Sequence, residues 1–367
     1  MTSASTELER KLIERIKREG PITFCAFMHA ALYDPELGYY NTERLKIGAT
    51  GDYFTSSNVH PAFGAVLAQA LIELLAELGV EYPMTLAEIG AGTGQLAFDI
   101  LSAIRDENPV IFDNLTYIIV ETSPRMINLQ QQRLESFGDR VRWCELDELE
   151  HSPILGIAFS NEFVDAMPVH RIRLEGDAIQ EQYITESSEA GETRLKLDWG
   201  RPSTERLHNY VVRMDMTFSQ GQVVEVNLAA IRWLARMSRA ISQGFLVTID
   251  YGDTVQHLWS PDRPQGTLRS FYKHQLIDMP LGRIGEQDIT ASVNFTALIE
   301  YGRELGFQLH SFERQTAFLI RMGLIDRIST RYGSSNPLDD LSERLAVKNL
   351  FAPGGISDHF RVLVQRR

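Results

Sequence analysis

The stretch 85–96, TLAEIGAGTGQL, decides the fold. Leu86, Ala87, Glu88 and Ile89 make a short apolar run that reads as a buried strand. Gly90, Gly92 and Gly94 alternate through the turn that follows, and Leu96, Ala97, Ile100, Leu101 and Ile104 then recur at helical spacing. A strand, a glycine turn and a helix form the mouth of a nucleotide-type pocket. Glycine lets the backbone turn sharply and lets a ligand reach van der Waals contact with the main chain. A dinucleotide fingerprint needs its third glycine three places after the second, where this chain has Gln95, so a nicotinamide dehydrogenase is disfavoured.

Outward from this stretch the chain alternates strands and helices. Tyr117-Ile118-Ile119-Val120 reads as a second buried strand ending at Glu121, an acid placed to accept both hydrogen bonds of a ribose diol. Ser123 is expected to cap the next helix. Val141 to Cys144 reads as a third strand and Ile154 to Ser160 as a fourth, which runs into Asn161-Glu162-Phe163-Val164-Asp165. Gly244 to Gly252 is a fifth. Phe307–Phe312 and Phe360–Val364 close the pattern with a helical insert between them. The alternation indicates an α/β, doubly wound, mostly parallel sheet. Polar side chains at the carboxyl ends of its strands lie over the ligand crevice.

Residues 1–80 read as an N-terminal helical segment with a long loop, rich in Gly, Asp and Tyr, that is a candidate lid. Residues 81–170 read as the first part of the core, 171–225 as a β-rich insertion, and 226–367 as the second part of the core with loop and helical insertions. Gln256 to Asp288 reads as irregular. Thr23 is a cap for a second helix carrying Phe24, Phe27, Met28 and Leu32.

Composition narrows the function. A formal net charge of −13 argues against a nucleic-acid partner, which asks for a basic face. No apolar run approaches the ~20 residues of a membrane span, and no signal or transit pattern opens the chain. Cys25 and Cys144 form no metal or disulfide pattern and suit a reducing compartment, so a cytoplasmic location is expected.

The pattern acid-x-G-x-G-x-G (Glu88, Gly90, Gly92, Gly94) resembles the first motif of class I S-adenosyl-L-methionine (SAM) methyltransferases. Further stretches in order, among them GPITFCAFMHAALYDPELGYY, GDYFTSSNVHPAFG, SNEFVDAMPVHR, GFLVTIDYGD and GEQDITASVNFTAL, resemble the MidA-like family of SAM-dependent methyltransferases. The chain departs from that family at Thr93, often arginine there, at EVNLAA and at RIGEQD. The resemblance covers nearly the whole chain. It implies a class I methyltransferase fold with SAM as cofactor and methylation of an arginine-containing segment of a protein substrate, in a family that includes an assembly factor for a respiratory complex. A homodimer is among the assemblies expected.

Glu88, Gly90, Gly92, Gly94 and Glu121 are the candidate cofactor residues. Glu162 and Asp165, with Asn161 orienting, are the candidate catalytic residues. Carboxylates clamp a planar guanidinium with paired hydrogen bonds and draw its charge away from the attacking nitrogen. As a helix-start cap the same acids would carry no chemistry. His170 and His274 are set aside, since a lone histidine is more often structural. Gly285 to Asp288 either lines a peptide groove or caps the next helix. A non-enzymatic assembly factor and a small-molecule O- or N-methyltransferase are the competing readings.

Overall fold

Apolar runs bounded by turn residues become the strands of an open sheet. The computed structural model describes residues 6–42, 61–79, 83–189, 192–272, 275–277, 279–331 and 359–367. Its core strands are β1 (Met84–Ile89), β2 (Leu115–Val120), β3 (Val141–Cys144), β4 (Ile154–Asn161), β5 (Ile241–Asp253), β6 (Gln308–Arg314) and β7 (Phe360–Arg366). They run in the order β3-β2-β1-β4-β5-β7-β6. The first five are parallel to one another, and β7 is antiparallel to both β5 and β6. The expected mostly parallel α/β sheet is therefore present. Strand order reverses between β1 and β4, where Ile89 is level with Ser160. A ligand crevice opens at such a switch point, beyond the carboxyl ends of the strands.

The chain divides into two compact units, and one holds this sheet: Phe54–Val164, Trp233–Gly252 and Tyr301–Arg367. Helices α1 (Pro61–Glu77) and α2 (Gln95–Glu107) bury Val66, Leu67 and Leu71, and Leu96 and Ile100, in one cluster with Leu86, Tyr117, Phe159, Val247 and Val362 of the sheet. Each fully buried leucine there contributes ~2 kcal/mol of transfer free energy. Helix α3 (Pro124–Leu134) begins with proline at its first turn. Ser123 makes no side-chain cap bond, contrary to expectation; its backbone N–H instead donates to Glu121, as described below.

The other unit comprises Met1–Tyr53, Asp165–Arg232 and Asp253–Glu300. Its helices Glu7–Glu19 and Phe24–Tyr33 are capped by Thr6 and Thr23, whose side chains accept from the N–H groups of Glu9 and Ala26. The segment 171–225, expected as an insertion of its own, shares a core with these helices. Leu8, Ile13, Phe24 and Phe27 cluster with Ile184, Leu195, Ile284 and Ile289. Ile22 and Thr23 pair with the strand Ala178–Glu189, which forms a hairpin with Glu192–Gly200. Within 256–288, expected as irregular, Arg269–Tyr272 pairs with Gln275–Ile277 and with Asp288–Thr290. These strands are three or four residues long, too short to show a period in the sequence. Of the candidate lid, 43–60 lies outside the described residues, while Tyr39 is buried.

Candidate active site

Three neighbouring strands of the sheet unit deliver the candidate groups at their carboxyl ends. β1 leads into the glycine turn, β2 into Glu121, and β4 into Asn161 and Glu162. The backbone of Gly90, Gly92 and Gly94 has φ of +72°, +52° and +76°, the left-handed region where a Cβ is strained. A Cβ on Gly90 would also meet Phe163 Cδ2 at 2.6 Å. The turn is closed by Gly94 N–H donating to the Ala91 carbonyl at 2.8 Å, and Gly94 opens α2.

Glu121 is held from two sides. Its Oε1 accepts from the backbone N–H groups of Thr122 (2.8 Å) and Ser123 (2.9 Å). Its Oε2 lies 3.4 Å from the amide nitrogen of Gln130, which donates to the Gly92 carbonyl at 2.8 Å. Gln130 Oε1 in turn accepts from the Trp143 indole N–H at 2.9 Å. Neither Gln130 nor Trp143 is legible as a site residue in the sequence. One lies inside an ordinary amphipathic helix and the other on an edge strand.

Glu88 is turned into the core. Its carboxyl takes the Tyr117 hydroxyl at 2.6 Å and is 3% exposed. Burial pushes it up to about 7 against the opposing pull of the tyrosine hydrogen bond. On the next helix, burial likewise raises Asp99 to about 6, although Gln95 donates to it.

At the end of β4, Glu162 has a left-handed backbone, φ +52°, rare for a residue with a side chain. Asn161 Nδ2 donates to Glu162 Oε1 at 3.2 Å, and Asn161 Oδ1 is buried with no protein hydrogen-bond partner. The Glu162 N–H donates to the Ile249 carbonyl on β5. One residue on, Asp250 is fully buried, and its Oδ2 accepts from the N–H groups of Phe163 (3.1 Å) and Val164 (2.8 Å). Asp250 thus fixes the turn that carries Glu162 and lays the Phe163 ring against Gly90 and Trp233. Asp165 belongs to the other unit, where its carbonyl accepts from Ala291 N–H.

The remaining signals also fall in that second unit. His170 Nδ1 is 2.6 Å from the buried Glu181. Burial opposes its charge, but hydrogen bonds with Cys25 and Glu181 prevail and raise it to about 9. His274 lies outside the described residues. In the stretch 285–288, Gln287 donates to the Met279 and Pro280 carbonyls, and Asp288 accepts the Tyr40 hydroxyl at 3.0 Å. The next helix, from Phe295, is capped by Asn294 rather than by this stretch. Among the described residues no cluster of His, Cys, Asp and Glu could hold a metal, and no helix is long and apolar enough to cross a membrane.

A turn of three glycines in the left-handed region, an acid at the end of β2 and an orphaned amide oxygen at the end of β4 suit a ligand with a ribose and polar ends. A model of the S-adenosyl-L-methionine-dependent methyltransferase family matches residues 66–313. The chain belongs to this family. It is a SAM-dependent methyltransferase of class I architecture, as the MidA-like resemblance implied. It is similar to a protein from Burkholderia thailandensis whose crystal structure is bound to S-adenosyl-homocysteine. The two are 26% identical with a TM-score of 0.86, over 100% of this chain and 95% of that one. It is also 26% identical to the protein arginine methyltransferase NDUFAF7 homolog, mitochondrial, of Drosophila melanogaster, over 98% of this chain and 85% of the relative. Against protein arginine methyltransferase NDUFAF7, mitochondrial, of Homo sapiens the identity is 25%, over 90% and 76%. Both relatives are mitochondrial proteins, which overturns the cytoplasmic expectation. Charge and thiol content do not separate one reducing compartment from another.

Proposed function

We propose that this methyltransferase acts on arginine side chains of a protein. The observation that carries the proposal is Glu162 at the carboxyl end of β4, beside the strand that bears the glycine turn, on a strained backbone held by bonds to β5. Strain of this kind costs ~1–3 kcal/mol and persists where the surroundings over-determine it, typically at working sites. The names of the two mitochondrial relatives support the same acceptor.

The residues divide the work as follows. Gly90, Gly92 and Gly94 bring backbone against the cofactor, Glu121 accepts from its ribose hydroxyls, and the buried Glu88 supports β1 beneath the turn. When bound, SAM supplies a methyl group carried on a sulfonium sulfur. Glu162 accepts paired N–H bonds from the guanidinium, which fixes the fork and leaves one nitrogen free to attack. Asn161 holds one Glu162 oxygen by its amide. Orientation supplies much of the rate, because the acceptor nitrogen is held in line. The proton leaves the methylated nitrogen after transfer, when the excess charge makes it acidic, and passes to a carboxylate or to water.

Transfer of labelled methyl from SAM to protein, followed by hydrolysis and detection of methylarginine, tests this. We expect label on arginine with the wild-type chain and a fall of orders of magnitude with Glu162→Gln. A wild-type chain that binds SAM yet labels no protein would overturn the acceptor assignment. A Glu162→Gln chain that transfers normally would remove Glu162 from the mechanism.

A further inference from the structure

The chemistry described above makes no use of a fully buried side chain that touches both walls of the cofactor cleft. We propose that Gln130 is a positioning residue that sets the spacing between the glycine turn and Glu121, and through it the affinity for the ribose of the cofactor. This rests on Glu121 and the glycines being the cofactor residues.

The argument starts from an amide with one acceptor end and one donor end. The Trp143 indole N–H can only donate, and it points at Gln130 Oε1 from 2.9 Å. That bond fixes which way the amide faces. Its NH2 must then face the two acceptors opposite, the Gly92 carbonyl at 2.8 Å and Glu121 Oε2 at 3.4 Å. The flipped amide would set its oxygen against that carbonyl and that carboxylate and leave the indole without an acceptor. The stem is equally confined, since a Cβ on Gly94 would lie 3.2 Å from Gln130 Cγ. Gln130 itself is 0% exposed, so neither bond has water as an alternative. With Oε1 of Glu121 held by two backbone N–H groups and Oε2 by Gln130, the carboxylate cannot swing. A ligand that needs this acid at a fixed height over the turn meets it already placed, which lowers the ordering cost of binding.

Titration calorimetry of the full chain with S-adenosylhomocysteine tests the proposal, together with adenosine and 2′,3′-dideoxyadenosine. The variants are Gln130→Leu, Glu121→Ala, the pair combined, and Trp143→Phe. We expect Gln130→Leu to weaken S-adenosylhomocysteine at least ~10-fold. It should also shrink the preference for adenosine over the dideoxy compound, as Glu121→Ala does. The combined loss should fall well short of the product of the single losses, because the two act as one unit. Trp143→Phe keeps the amide but frees its orientation, and should weaken binding severalfold. It carries the test if ligand-free melting shows that Gln130→Leu fails to fold. Losses that multiply, or an unchanged diol preference in Gln130→Leu, would show a merely structural role and overturn the proposal. If Glu121→Ala keeps the full diol preference, the assignment of Glu121 to the ribose falls first, and the role of Gln130 falls with it.

Discussion

Gly90 and Glu162 share a backbone region that L-residues avoid, yet one position is glycine and the other is not. At Gly90 the conformation and the 2.6 Å approach of Phe163 both exclude a side chain. Gly90→Ala should therefore lower S-adenosylhomocysteine affinity by more than ~10-fold and cost ~1–2 kcal/mol of stability. Calorimetry and melting measure the two, and an alanine variant with normal affinity would show that the turn does not cradle the cofactor. At Glu162 nothing in the backbone asks for a carboxylate. Glu162→Gly should relieve ~1 kcal/mol of strain, so its melting temperature should match or exceed that of the wild type while methyl transfer is lost. A clear fall in melting temperature would mean that the acid is retained for the fold.

The helices and strands of the sheet unit were largely legible, and the reason is their burial. Buried on both sides, β1, β2, β4 and β5 read as continuous apolar runs, and α1 shows leucines at three-and-four spacing. What the sequence hid was contact between elements. Gln130 and Asp250 look like any polar residue on a helix or at a strand end until the neighbours that pair with them are known. Gly64 is another instance. It is the fourth residue of α1, where glycine is a poorer helix former than alanine, and reads as a weakness. In the structure a Cβ there would overlap Cβ of Asp99 on α2. Gly64→Ala should therefore push the two helices apart and destabilise by ~1–3 kcal/mol despite its better helix propensity. A denaturant midpoint equal to or above that of the wild type would contradict this packing.

Among the described residues each unit carries a buried group whose proton is held more tightly when folded and whose titration falls near neutral pH. Glu88 moves from 4.5 to about 7, chiefly through burial, and His170 from 6.5 to about 9. A pKa raised on folding gives stability that is complete below the unfolded value and lost as pH rises through the folded one. The Glu88 contribution thus fades between about 4.5 and 7, and that of His170 between about 6.5 and 9. Melting temperature should fall steadily from pH 6 to 9.5. Glu88→Gln should flatten the lower part of that slope and His170→Gln the upper part, whereas superimposable profiles would refute both assignments. The division into two units was the least legible feature, because three distant segments share each core and no local pattern records it. The strand order has an equally non-local effect. β7 is last in the chain but lies between β5 and β6. During synthesis on the ribosome, β5 and β6 emerge long before the strand that separates them. A nascent chain stalled short of Phe360 would expose two unpaired strand edges, an invitation to aggregate that only the arrival of residues 360–366 withdraws.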